Sequence, residues 1–264
     1  MPITRRQALL FPVLSVAHAA GIAADAATVS TAPGSELVVF CAGAVRSAQS
    51  AVQATWAARG APLLRIEYAT AGDWRRRLVA GEVADVVVLP LESFALPAIV
   101  AVTDAASRRD LGAVGIGIAV RTRAPQPDLS SEDSLKRALL TARSVTYMDP
   151  ERGTSGRHVD EVVLPKLAIR DAVRAKTVLG EGGMLAERVA TGEVEIAIQQ
   201  MTELLPVTGV TVVGELPASL QKVTVYSAAV TRQARSPEAA RALIDFLTAD
   251  AQQQVFAAKG FRKP

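Results

Sequence analysis

Short apolar runs recur along this chain, and most are followed by a segment whose apolar residues return every three or four positions. ELVVFC (Glu36–Cys41), LLRIEYA (Leu63–Ala69), DVVVLP (Asp85–Pro90) and VGIGIAV (Val114–Val120) read as strands. So do AKTVL (Ala175–Leu179), VEIAIQ (Val194–Gln199), GVTVVG (Gly209–Gly214) and KVTVYSAAV (Lys222–Val230). Val45, Ala48, Val52 and Trp56 share one face of a helix that stops at Gly60. Ser130 is placed to cap a further helix, and Ser236-Pro237-Glu238 opens one that buries Leu243, Phe246 and Leu247. Strands alternating with helices predict an α/β fold, because each apolar sheet face needs helices to cover it. Half of the residues are hydrophobic, which supplies that core and excludes a disordered class.

One internal echo sets the domain organisation. LVAGEVADVVVL (Leu78–Leu89) and RVATGEVEIAIQ (Arg188–Gln199) both read helix, Gly-Glu-Val, strand. Their separation is roughly one domain length, so two similar α/β lobes are expected rather than one long sheet. The runs at Val114–Val120 and Lys222–Val230 would then be the two strands that cross between lobes. Residues 35–116 with 226–264 form the first expected lobe, and residues 117–225 the second.

The first 26 residues read as a secretory signal peptide rather than as fold. Arg5-Arg6 precedes an apolar run, Ala8 to Ala20, that is too short for a membrane anchor. Small-x-small sites follow, ending at Ala19 and Ala26. TRRQALL (Thr4–Leu10) also resembles a twin-arginine signal. The mature protein is accordingly expected in the periplasm, without membrane insertion. Removing residues 1–26 takes two arginines and one aspartate from a net charge of +3, leaving +2. So small a charge gives no reason to expect nucleic acid as a partner.

Cys41 is the single cysteine, and after signal removal His158 is the single histidine. Phe40 stands where lipoprotein attachment needs a small residue, so Cys41 reads as a buried strand-end residue. One Cys and one His leave no zinc site to expect, and neither a lysine phosphate loop nor a dinucleotide glycine fingerprint is present. No cofactor is expected.

Four strand-to-helix junctions carry small or amide side chains: CAGAVRS (Cys41–Ser47), YATAGDW (Tyr68–Trp74), RGTSGRH (Arg152–His158) and IQQMTE (Ile198–Glu203). Small residues let a ligand approach the backbone, and the free N–H groups of a following helix favour an anion there. Any one such loop is equally explained as a turn; four together point to a cradle. Ser155 lacks the G-x-S-x-G frame of a nucleophile elbow, since Arg157 takes the last glycine position. Arg46 and Arg157 are the candidate carboxylate forks, against a reading as solvated surface. His158 is either a helix-face residue or a general base.

GEVADVVVLP, GIGIAVRTRAPQPDLSSEDSLKRALLTARSVTYMDPERGTSG, GEVEIAIQQMTEL and GVTVVGELPASLQ, in that order and spacing, resemble the molybdate-binding-protein-like branch of type II periplasmic solute-binding proteins. The resemblance covers Glu36 to the C-terminus. It implies two α/β lobes with mixed sheets, a hinge of two crossing strands, and a small anion held between the lobes. It also implies a monomer that delivers its ligand to the membrane permease of an ABC importer. Carried over, the ligand loops fall on Ala42-Gly43-Ala44, on Thr70-Ala71-Gly72, on Thr154-Ser155-Gly156, and near Gln199-Gln200-Met201. Molybdate binders place hydroxyls in the first two loops and a tyrosine near the fourth. Here the first has no hydroxyl, the second only Thr70 and the fourth no tyrosine, which turns the expectation to a generic small anion or a carboxylate. The same branch includes periplasmic enzymes such as aconitate isomerase. On that alternative, His158 or Glu203 would act as the base, with Arg46 and Arg157 holding the carboxylates.

Overall fold

A computed structural model describes residues 36–264. The expected signal peptide, residues 1–26, lies outside the described residues. The chain first lays down β1 (Glu36–Ala42), β2 (Leu63–Ala69), β3 (Val86–Pro90) and β4 (Arg109–Val114). It then forms β5 (Ile116–Arg121), β6 (Val145–Met148), β7 (Thr177–Gly180), β8 (Ile196–Gln200) and β9 (Val210–Glu215), and returns as β10 (Thr224–Val230). Two five-stranded sheets result, in the orders β2-β1-β3-β10-β4 and β7-β6-β8-β5-β9. The first three strands of each are parallel, and the fourth, β10 or β5, runs antiparallel to both neighbours. Each fourth strand is contributed by the far side of a crossing. The internal echo has a physical basis here: its two halves end in β3 and β8, which hold the third place in their respective sheets.

Each sheet is covered on both faces, as alternation along β1 shows. Leu37, Val39 and Cys41 pack with the helix Arg46–Ala57 and the C-terminal helices, through Val52, Trp56, Leu243 and Phe256. Val38 and Phe40 point the other way, onto Trp74 and Leu78. Phe40 and Trp74 stack at 4.3 Å between centroids, and the Trp74 Nε1–H donates to the Cys41 carbonyl at 2.9 Å. Burying each such ring contributes about 2–3 kcal/mol. That packing fixes the start of the helix Ala71–Val79, and with it the second expected ligand loop.

The crossing differs in detail from the single strand read over Val114–Val120. Gly115 divides that run, leaving Val114 in the first sheet and Ile116 onward in the second. A β-carbon on Gly115 would stand 2.9 Å from Glu215 Oε1 and 3.0 Å from Gln221 Nε2, so a larger residue at the break would displace the ends of those two side chains. Gln221, on the returning segment, accepts from the Ile116 N–H at 2.8 Å and donates to the Ile116 carbonyl at 2.9 Å. One side chain thus ties the two crossings together. Ser131 rather than Ser130 caps the helix Glu132–Thr141, its hydroxyl accepting from the Ser134 N–H at 3.1 Å. Ser130 is occupied in a turn with Asp128, which accepts from its N–H at 2.8 Å.

Candidate functional site

A cavity of roughly 240 Å³ lies between the two sheets, where strand ends from both lobes converge. That exceeds the volume of several waters at ~30 Å³ each, more than a small tetrahedral oxyanion would fill.

The first lobe contributes the turn Ala42-Gly43-Ala44, which leads from β1 through a short 3₁₀ turn into the helix Arg46–Ala57. Arg46 lines the cavity with its guanidinium 4.2 Å over the Tyr68 ring, a cation–π contact that holds it at the wall. Thr70 and Ala71 line it too. The Thr70 hydroxyl is already engaged, accepting from the Asp73 N–H at 3.1 Å and donating to Asp73 Oδ2 at 2.6 Å. It therefore caps the helix rather than standing free for a ligand. Cys41 is fully buried beside this turn, and burial pushes its thiol far up despite the opposing charge of Arg46, so it is inert.

From the second lobe, Thr154 and Ser155 line the cavity at the start of a helix that continues through a π turn at Val159–Val163 to Lys166. The loop Glu181–Met184 forms another wall. Gln199 reaches that loop rather than the cavity: it accepts from the Leu185 N–H at 2.9 Å and donates to the Gly183 carbonyl at 2.8 Å. Its neighbour Gln200 turns the other way along β8 and lines the cavity. The Gln200 amide donates to Thr224 Oγ1 at 3.2 Å, while its Oε1 is buried without a partner.

Glu203 and Tyr226 complete the floor. Glu203 is 8% exposed and makes no ion pair among the described residues. Burial pushes its carboxyl up to about 8, against smaller opposing pulls from Gln199 and Arg46. Burial likewise drives the Tyr226 hydroxyl up, with Glu203 adding to the effect and Thr154 and Gln200 opposing it.

Several expected residues stand elsewhere. Gly72 is a contact between lobes: its N–H donates to the Arg152 carbonyl at 2.9 Å, and a β-carbon there would meet Glu151 O at 2.8 Å. Gly156 is pressed against the Met148 carbonyl, where no β-carbon fits. Arg157 turns outward and donates to the Pro150 carbonyl at 3.1 Å. His158 pairs through Nε2 with the Leu220 carbonyl at 2.8 Å, away from the cavity. Arg157 lies two residues past Ser155, about 200° round the helix, while His158 is held by its bond to the Leu220 carbonyl on the returning segment. Sequence reasoning missed Tyr68, Asp73, Met148, the loop Glu181–Met184 and Tyr226, all of which line the cavity. Tyr226 sits within an antiparallel strand, opposite Pro90, and so lies outside any strand-to-helix junction. No cluster of three potential metal ligands occurs among the described residues.

Two α/β lobes tied by crossing strands around a cavity define the fold of periplasmic binding proteins, and comparison with solved structures agrees. The periplasmic molybdate-binding protein of Azotobacter vinelandii superposes with a TM-score of 0.73 at 16% identity, over 86% of this chain and 99% of that one. A sulfate-binding protein of Mycobacterium tuberculosis gives 0.71 at 17% identity, over 87% of each. The chain belongs to the family of bacterial extracellular solute-binding proteins, whose family model matches residues 37–262. It is also similar to an aconitate isomerase from Pseudomonas sp, 38% identical over 173 residues. That match covers 65% of this chain and 64% of the Pseudomonas protein.

Proposed function

We propose that this protein captures a small organic polycarboxylate in the cleft between its lobes. The observation that carries the reading is the make-up of the cavity wall. Backbone of the turn Ala42–Ala44 that leads into the helix Arg46–Ala57, together with Arg46 and Ser155, favours an anion. The cavity is roomier than a tetrahedral oxyanion requires, and Arg46 is the only cation in its lining among the described residues. In this reading the protein is exported to the periplasm and hands its ligand to the permease of an ABC importer. A thermal-shift screen of molybdate, sulfate, and di- and tricarboxylates tests it. Tricarboxylates or dicarboxylates should raise the melting temperature in a concentration-dependent way; stabilisation by molybdate or sulfate alone would replace the carboxylate with an oxyanion.

A second reading, conversion of the bound carboxylate, is favoured by Glu203. A carboxyl at the floor of an anion site opposes binding whenever it is ionised, so its presence needs a reason beyond capture. The similarity to an aconitate isomerase points the same way. Mixing the screened carboxylates with the protein and assaying each for a changed isomer separates capture from conversion.

A further inference from the structure

We propose that Glu203 carries a proton between two carbons of an unsaturated polycarboxylate held in the cleft, moving its double bond by one position. The inference rests on the reading that the cleft binds such an anion.

The geometry isolates Glu203 as the group able to do this. Its carboxyl lies under the first turn, with Oε1 3.2 Å from where a β-carbon on Gly43 would stand, so any larger residue at position 43 would crowd it. The groups that bear on it are Arg46 beyond the first turn, Gln199 from β8 and Tyr226 from β10. Among these, Arg46 is the only one charged, and its guanidinium is committed to the face of Tyr68. Asp73 and Glu181 also line the cavity and are more exposed than Glu203. His158, the other candidate base, has its ring nitrogen bound to the Leu220 carbonyl and lies outside the lining.

The step balances without a cofactor. Ionised Glu203 takes a proton from the CH₂ that lies between a carboxylate and the C=C. The C–H electron pair becomes the new C=C, and the charge spreads through the conjugated carboxylate. Arg46 and the backbone of the turn Ala42–Ala44 stabilise that charge as it develops. Protonated Glu203 then returns the proton to the former vinyl carbon, which takes the electron pair of the old double bond. For aconitate this shift regenerates the same constitution, so its cis and trans forms interconvert. Nothing is oxidised or reduced.

Proton NMR in D₂O with cis- and trans-aconitate tests this, alongside calorimetric binding of the same two compounds. The wild type is expected to bind and interconvert them, with deuterium entering the CH and CH₂ positions. Glu203→Gln keeps the shape and a hydrogen-bond donor. It should bind within about tenfold of wild type and lose isomerisation and exchange by 10²–10⁴-fold, with its fold checked by circular dichroism. Glu203→Asp should retain partial exchange. Binding by the wild type without exchange overturns the inference and leaves the reading of the cleft intact, as does a Glu203→Gln variant exchanging at the wild-type rate. If neither isomer binds, both fall.

Discussion

Among the described residues Asp85, Asp160 and Glu203 are the carboxylates withdrawn from water, and the last two are treated in opposite ways. Asp160, in the second lobe, is 1% exposed, yet it accepts from Arg174 Nε at 2.6 Å, Arg170 at 2.6 Å and the Tyr147 hydroxyl at 3.0 Å. Burial alone would raise its carboxyl, but Arg174, Arg170 and Tyr147 together hold it below the usual carboxylate range. Glu203 lacks such partners and is pushed up to about 8. The contrast separates structural from functional burial. Asp160 binds the helical segments that follow Ser155 to β6, whereas Glu203 faces a cavity with its proton-binding capacity kept near neutral pH. A carboxyl that only shaped the fold would be expected to find partners, as Asp160 does.

The first way to break this comparison is to remove the neutralised carboxylate. Asp160→Asn leaves the buried Tyr147 hydroxyl and two guanidinium groups with a neutral partner. Since both arginines can turn toward solvent, a loss of about 2–4 kcal/mol is expected in urea denaturation. The loss should be present at neutral pH and fade as the wild type itself is acidified below the ordinary Asp value of 3.8, where Asp160 protonates. Ligand affinity should be unchanged.

Glu203→Gln should act with the opposite sign. The Glu203 carboxyl holds its proton up to about 8 when folded but titrates near 4.5 when exposed. Between those values the unfolded chain has shed a proton that the folded protein keeps. Wild-type stability therefore falls as pH rises from about 4.5 to about 8, and levels off above. Relative to wild type, the variant should gain little at pH 5 and about 1–3 kcal/mol by pH 9. Turnover by the wild type, which needs the ionised form, should rise with pH to a plateau above about 8. A Glu203→Gln variant less stable than wild type at pH 9 would show that the carboxyl has partners of the Asp160 kind.

Closure over Glu203 offers a third, smaller test. A β-carbon at Gly72 would collide with the Glu151 carbonyl across the cleft. Gly72→Ala should leave stability within about 0.5 kcal/mol and weaken ligand binding about tenfold, a cost of overpacking on the order of 1–2 kcal/mol. Calorimetry on the folded variant would decide, and unaltered affinity would show that the lobes need not touch there.

Much of this architecture was legible because period and punctuation are local. The strands Glu36–Ala42 and Leu63–Ala69 follow from apolar runs, and the two halves of the echo fall on equivalent strands, β3 and β8. What was not legible depends on rotation and partnership. Gly115 is one glycine in a continuous apolar run, and only the different partners of β4 and β5 show that the chain changes sheets there. Gln199 and Gln200 are chemically identical neighbours, yet the strand sends one to the loop Gly183–Leu185 and the other to the cavity. Tyr226 arrives from a strand more than seventy residues after Thr154, so no local pattern joins them.

The smallest expected effect bears on which residue moves the proton. His158 and Glu203 were equal candidates in sequence, and a histidine is the commoner general base. Here the imidazole is half-buried against the segment that returns to the first lobe, with Nε2 held by the Leu220 carbonyl. That bond makes Nε2–H the donor and leaves Nδ1 as the basic nitrogen, but the ring lies outside the cavity lining and so offers no base to the cleft. His158→Gln can supply a comparable amide donor and should change stability by less than about 1 kcal/mol. Binding and any turnover should stay within twofold of wild type. If His158→Gln instead removed turnover while its melting temperature and ligand affinity held, the proton would pass through the imidazole, and the unpaired state of Glu203 would need another cause.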